Sequence, residues 1–317
     1  MYKQLLTLPL IFSSLLANNM GEYGWDIPNS SVNIGGYSDM TYDSKREKKF
    51  LFDDIALLFS SEHERFDILG EVELSHISLE GKSNNSRDID LNLERLQLNY
   101  TLNDNYSFQI GRFKSDIGYW NQAPILILQN TTTKPHIVGN FFPEATTGVL
   151  YRYNLNDENS LSFTFQDNPD ISHQDGVINV NRHKGFAYYG AKSDLSWCFS
   201  LGEFREENGI EDKYIGVGAE YEVDEFEIKA EYFVQDSELS KEKPYSAYVQ
   251  PTWHFRKNHD AVVRFESYRD TVLDVKEEIY LLGYLYRPTS NMALKGEYIY
   301  HTKSPLNHFV YSFSVLF

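Results

Sequence analysis

The chain has 317 residues, with 29 Lys and Arg against 46 Asp and Glu, a formal net charge of −17. That balance argues against nucleic acid as a partner, since binding phosphates needs a basic face, and the single cysteine, Cys198, excludes an internal disulfide framework. Mean hydropathy is negative, as in a soluble protein, yet the chain carries 23 Tyr, 21 Phe and 4 Trp, residues that favour strands and, for Tyr and Trp, membrane–water interfaces.

The first element is an address. "MYKQLLTLPLIFSSLLANN" has Lys3, an apolar stretch from Leu5 to Leu16, and Ala17 before two asparagines. It reads as a secretory signal peptide over residues 1–17. Thr7, Pro9, Ser13 and Ser14 interrupt it, and it is shorter than the ~20 apolar residues of a spanning helix. No cysteine follows it, so a lipoprotein anchor is not expected. Residues 18–30 read as a periplasmic lead and 31–317 as one domain.

From there the period is two. Strands are expected near 31–42, 50–60, 66–78, 88–101, 106–114, 147–153, 160–166, 185–193, 195–203, 213–222, 226–235, 245–255, 261–268, 278–286, 292–301 and 308–317. That makes sixteen, with fourteen or eighteen as the alternatives, because the eighth and ninth run together at Asp194 and the twelfth contains Pro251. The alternation is plain in Phe66, Ile68, Gly70, Val72 and Leu74, in Phe226, Ile228, Ala230, Tyr232 and Val234, and in Phe309, Tyr311, Phe313, Val315 and Phe317. Across the six clearest segments the apolar face holds 26 residues and no charge, whereas the other face holds 20 residues and nine charges. Neighbouring strand residues point to opposite faces, so one face is greasy and the other wet. Segments of this length match the ~9–11 residues of a tilted membrane strand, and a charge at the lipid midplane would cost ~2–4 kcal/mol. The expected fold is an all-β transmembrane antiparallel barrel.

Connections carry a second pattern. After even strands they are tight ("LNDN", "VDE", "RKNHD"), and after odd strands longer and charged ("TYDSKREKK", "DSELSKEKP"). Short turns at one end and long loops at the other are the signature of an outer-membrane barrel. The longest connection is Ser115 to Gly148, after strand five. A loop this long is functional or disordered, and Asp116, Tyr119, Trp120, Asn121, Phe141, Phe142 and the run "PILIL" argue against disorder. It is expected to fold into the lumen as a constriction; the alternative is a cap over the mouth.

Charged residues on the wet face are the pore-lining candidates: Glu71, Glu73, Glu94, Arg152, Lys229, Arg264, Glu266, Lys295 and Glu297, with Glu227 and Glu231 beside them. Arg112 joins them against the parity of its strand; either Gly111 turns it inward or the strand ends before it. Rings of charge set pore selectivity, and acids slightly outnumber bases here, which leans towards a general or cation-preferring channel.

The stretch "LQLNYTLNDNYSFQIGRFKSDIGYWN", Leu96 to Asn121, with "GRF" at Gly111–Phe113 followed by Ile117 and Gly118, resembles the entry to the long loop in porins of the phosphate-selective O and P type and their relatives. The resemblance covers this hairpin, the architecture and the C-terminus. It implies an outer-membrane porin of a Gram-negative bacterium, passing ions and small hydrophilic solutes by passive diffusion as a homotrimer. It also implies contact with outer-membrane lipid and lipopolysaccharide. Phe313 and Phe317, on the aromatic face of the last strand, resemble the signal read by the barrel assembly machinery. The family's ladder of lysines and arginines is missing from the mixed charges above.

Two other readings stand beside the channel. One is a plugged structural or adhesive barrel. The other is an outer-membrane lipid hydrolase, because "ISHQDG", Ile171–Gly176, resembles the His-bearing strand of outer-membrane phospholipase. A serine is expected two places after that histidine, where Asp175 stands, and a nucleophile needs an oriented base beside it. The nine histidines are scattered without metal-ligand spacing. No enzyme activity, cofactor or metal is expected.

Overall fold

The computed structural model describes residues 24–47, 49–79, 90–123, 125–173, 177–238, 242–271 and 274–317. The expected signal peptide and the first part of the lead lie outside the described residues. Further along the lead, Trp25 and Asp26 pair with Ile34 and Asn33.

Sixteen long strands follow: β1 (Val32–Asp43), β2 (Phe50–His63), β3 (Phe66–Ser78), β4 (Asp90–Asn103), β5 (Tyr106–Lys114), β6 (Ala145–Asn156), β7 (Asn159–Gln166), β8 (Val180–Lys192), β9 (Leu195–Glu206), β10 (Glu211–Val223), β11 (Phe226–Ser237), β12 (Tyr245–Arg256), β13 (His259–Asp270), β14 (Val275–Thr289), β15 (Met292–His301) and β16 (His308–Leu316). Each is antiparallel to its sequence neighbours, and β16 pairs with β1 from Val310–Asp43 to Leu316–Tyr37, which closes the ring. Pro251 sits inside β12: pairing to β11 continues through it, whereas pairing to β13 skips from Val249 to Thr252. A missing N–H explains the skip.

All seven connections at one end are two-residue turns, from Glu64–Arg65 to Ser290–Asn291. Glu64, Ser193, Asp224 and Asn258 take positive φ of 50–67° there, as tight hairpins demand. At the other end the connections are longer, and the one between β5 and β6 spans residues 115–144. The expected loop end at 148 moves back, because Ala145–Gly148 already belong to β6.

The two faces separate as the alternation requires. Leu282 is 62% exposed and Ile215 57%, on the outer face, whereas Leu285, Val262 and Ala293 are fully buried inside. The aromatic surplus also finds its place. Near the short turns, Phe66 packs on Tyr100 (4.8 Å), Tyr106 on Tyr153 (4.9 Å) and Phe226 on Trp253 (6.1 Å). Towards the long connections, Tyr42 packs on Phe50 (4.8 Å), Tyr298 on Phe309 (4.7 Å) and Phe265 on Tyr280 (5.2 Å). Two aromatic girdles bounding an apolar belt suit the interfaces of a bilayer.

Candidate functional site

The site is built by residues 115–144. Asn121 fastens the base, donating to Ser115 O (2.7 Å) and Glu144 O (3.0 Å), and Ser115 Oγ meets Thr146 Oγ1 at 2.8 Å. Gly118 takes φ of +65°, and the next N–H, of Tyr119, donates to Glu231 on β11. Tyr248 steadies the same carboxylate at 2.8 Å, and Arg152 on β6 holds Asp116 at 2.9 Å. Ile117, Trp120, Ile137, Phe141 and Phe142 bury against Phe204, Tyr214, Phe233 and Tyr248 of the inner wall. Ile125 and Ile127 bury against Tyr37, Leu58, Leu69 and Leu285. Each such side chain contributes ~1.5–3 kcal/mol, so apolar burial seats the segment.

Charged wall residues then grip its backbone. Arg264 donates to Thr131 Oγ1 (2.9 Å) and Thr133 O (2.8 Å), and pairs with Glu266 at 2.7 Å. The guanidinium also lies 5.5 Å from the Trp120 ring centre. Glu266 accepts the His136 N–H at 2.7 Å. Glu297 accepts from the Thr132 N–H and, at 2.8 Å, from the Thr133 hydroxyl. Lys295 donates to Leu126 O and Thr131 O. Four of the residues expected to line open water are therefore buried against the segment 115–144. This clamp was invisible in the sequence, because its halves lie about 130 to 170 positions apart.

The other predicted residues divide into two groups. Lys229 bridges Glu227 (2.9 Å) and Glu220 (3.1 Å) on the inner wall. Glu71 pairs with Arg95, Glu94 pairs with Lys114 at 2.9 Å, and Glu73 accepts from Ser75 at 2.6 Å. Glu71, Glu73 and Glu94 border a cavity of about 470 Å³ left between residues 115–144 and the wall of β1–β4. Eight carboxylates line it, against Arg46, Lys114 and Lys134.

Arg112 follows neither sequence reading fully. Gly111 does turn, with φ of +118°, but β5 runs on to Lys114. Pairing of β4 with β5 stops at Leu96–Arg112, and Glu94 is an extra, bulged residue on β4. The two strands part above that point as β5 heads for the lumen. Arg112, 1% exposed, sits in the resulting seam. Its Nε donates to Asp170 at 2.8 Å, and Thr147 donates to the same oxygen at 2.6 Å. Ser172 Oγ accepts the Leu93 N–H at 3.3 Å. Asp170 and Ser172, in the connection after β7, thus bridge the seam.

His173 pairs on the surface with Glu207 at 3.1 Å, and Asp175 lies outside the described residues. His183 is buried between Thr146 (2.9 Å) and Tyr214 (3.0 Å). Among the described residues no group of three His, Cys, Asp or Glu is placed to hold a metal.

No protein-family description matches the chain, and no curated protein matches it. Solved structures do. Outer-membrane OmpT of Vibrio cholerae is 11% identical, with 92% of this chain and 99% of that one covered at a TM-score of 0.66. The anion-selective porin from Comamonas acidovorans is 13% identical, with 91% and 100% covered at 0.65. Salmonella typhi OmpF, in complex with daunomycin, is 13% identical, with 92% and 100% covered at 0.67. At such identities the likeness is one of fold. The chain has the sixteen-stranded antiparallel barrel fold of these outer-membrane porins.

Proposed function

We propose that the chain is a porin, a water-filled path for passive diffusion of ions and small hydrophilic solutes, with residues 115–144 as its constriction and a preference for cations. One observation carries the reading. The clamp occupies Arg264 and Lys295, while the open cavity keeps eight carboxylates against three Lys and Arg side chains. Charge rings set the sign of the ion that passes. The same imbalance speaks against a phosphate-selective pore, and against sharing the selectivity named for the Comamonas porin. Trimerisation belongs to the proposal, supported by the trimer form described for V. cholerae OmpT.

Planar bilayers test this. Steady current steps, with a reversal potential of cation sign under a KCl gradient, are the expected result. Anion preference would overturn the selectivity. Silence from a folded protein would favour the plugged barrel, a reading to which the Ile125–Ile127 packing lends weight. The hydrolase reading rests on His173, which pairs with Glu207 on the surface; lipid hydrolysis lost on His173→Ala would revive it.

A further inference from the structure

Inward positions on β8, β9 and β10 are marked by the buried His183, Phe204, Asp212 and Tyr214. Their neighbours Arg182, Lys184, Glu203, Arg205, Glu211 and Lys213 therefore point outwards, on the face that carries the apolar belt. They stand at the end with the longer connections, one step beyond that belt: Phe186, Leu201 and Ile215 lie two residues along from Lys184, Glu203 and Lys213. A charge on the lipid face is costly at the midplane and nearly free at the interface, so this row marks the level of the headgroups. Pairing within the row leaves it unbalanced. Glu203 stands opposite both Lys184 and Lys213 but bonds Lys184 alone, at 3.4 Å. Among the described residues Lys213 has no carboxylate oxygen within 4.0 Å, although Asp236 on β11 also stands opposite it. Arg182 and Arg205 face each other directly, and both reach the same oxygen, Oε1 of Glu211. Like charges so placed destabilise a sheet. The Nε of Arg182 is buried and has no hydrogen-bond partner. An unfilled buried donor is costly, and an anion brought to this wall would remove the cost.

We propose that this outward row is a docking site for phosphorylated lipid headgroups of the outer leaflet, with Arg182 and Lys213 as its anion contacts. The proposal rests on the reading of the chain as an outer-membrane barrel and not on whether the barrel conducts. Clustered Lys and Arg at a membrane surface attract anionic lipid, and a guanidinium forks onto phosphate oxygens. The chain as a whole carries −17, so the attraction comes from this row and not from net charge. Arg182 and Lys213 lie two strands apart, roughly 10 Å at the usual strand spacing. That span suits a headgroup with more than one phosphate better than a single phosphate ion. Phe165, directly opposite Lys184 and half exposed, gives the acyl chains an apolar wall beside the cations.

The probe is lipid A with two phosphates, titrated into the detergent-folded protein and read by native mass spectrometry, with its dephosphorylated form as the comparison. Wild type should hold the bisphosphorylated form tighter by roughly fivefold or more. Arg182→Gln combined with Lys213→Gln should remove that preference. Lys213→Gln alone breaks no ion pair; it should lower the preference part-way, and it decides the matter if the double variant lacks the heat-dependent gel shift of a barrel. Lys276→Gln, at an outward lysine near the start of β14, should leave the preference unchanged. Equal retention of the two lipids by wild type, an unchanged preference in the row variants, or an equal loss in Lys276→Gln would each overturn the site. Inorganic phosphate displacing the lipid at matched phosphate concentration would overturn the headgroup as its ligand. A chain that stays monodisperse without detergent would instead refute the membrane placement, and the site with it.

Discussion

Gly36 and Phe317 exchange both backbone hydrogen bonds, at 2.7 and 2.9 Å, and so fasten the end of the chain to the first strand of the barrel. The aromatic ring lies where a side chain on residue 36 would begin: an added Cβ would collide with Ala56 O and with Phe317 itself.

Gly36→Val should therefore loosen closure. Overpacking costs ~1–3 kcal/mol, and the expected result is a lower midpoint for loss of the heat-dependent gel shift. Gly36→Ala should fall between wild type and valine. Equal midpoints for all three would show that the ring contact is immaterial.

Arg264→Ala should free residues 131–136. It removes three donors from Thr131 and Thr133 and leaves Glu266 buried without its partner. Breaking a buried pair costs ~3–5 kcal/mol, enough to populate an undocked segment. Larger and noisier single-channel steps are expected, with circular dichroism unchanged in strand content.

Asp170→Ala should open the seam between β4 and β5. It removes the nearer of the two carboxylates at Arg112, leaving Glu94 at 4.0 Å, so the loss stays below the ~3–5 kcal/mol of a fully broken buried pair, and it takes away the acceptor of the Thr147 hydroxyl. Hydrogen exchange should rise at the amides of residues 91–96 and remain unchanged across β12–β15. The double replacement Arg112→Met, Asp170→Leu should exchange more slowly than Asp170→Ala, because no charge is left unpaired.

Acid should loosen the loop base. Burial pushes the Glu144 carboxyl up, but the ammonium groups of Lys134 and Lys114 outweigh it and hold it below the usual range. A depressed folded value stabilises fully above the unfolded one, about 4.3, and the contribution fades as pH falls through the lowered value. Lys134 is 57% exposed, so solvent screens the effect. Open-channel noise should grow between pH 5 and 3. Lys134→Met should flatten that rise; an unchanged pH profile would refute the pairing.

The barrel was legible because its rule is local. Phe66, Ile68, Val72 and Leu74 declare their face by alternation alone, and a two-residue turn leaves its mark in Glu64–Arg65 or Lys257–Asn258. Arg112 escaped the rule because β5 leaves its neighbour there, an event caused by the destination of the next thirty residues rather than by any flanking pattern. The bulge at Glu94 escaped for the same reason. Lys295 and Glu297 were placed on the correct face, yet what meets them inside is a segment over 160 positions away. Parity tells a residue which way to point and says nothing about whether water or protein waits there.

The latch at Asp170 also makes closure of the wall a long-range matter. The residue lies 58 positions after Arg112, and its own N–H is held by Val180 O at the start of β8. The seam between two sequence-adjacent strands is therefore completed by a residue that neither strand supplies, and its integrity depends on the start of the eighth strand.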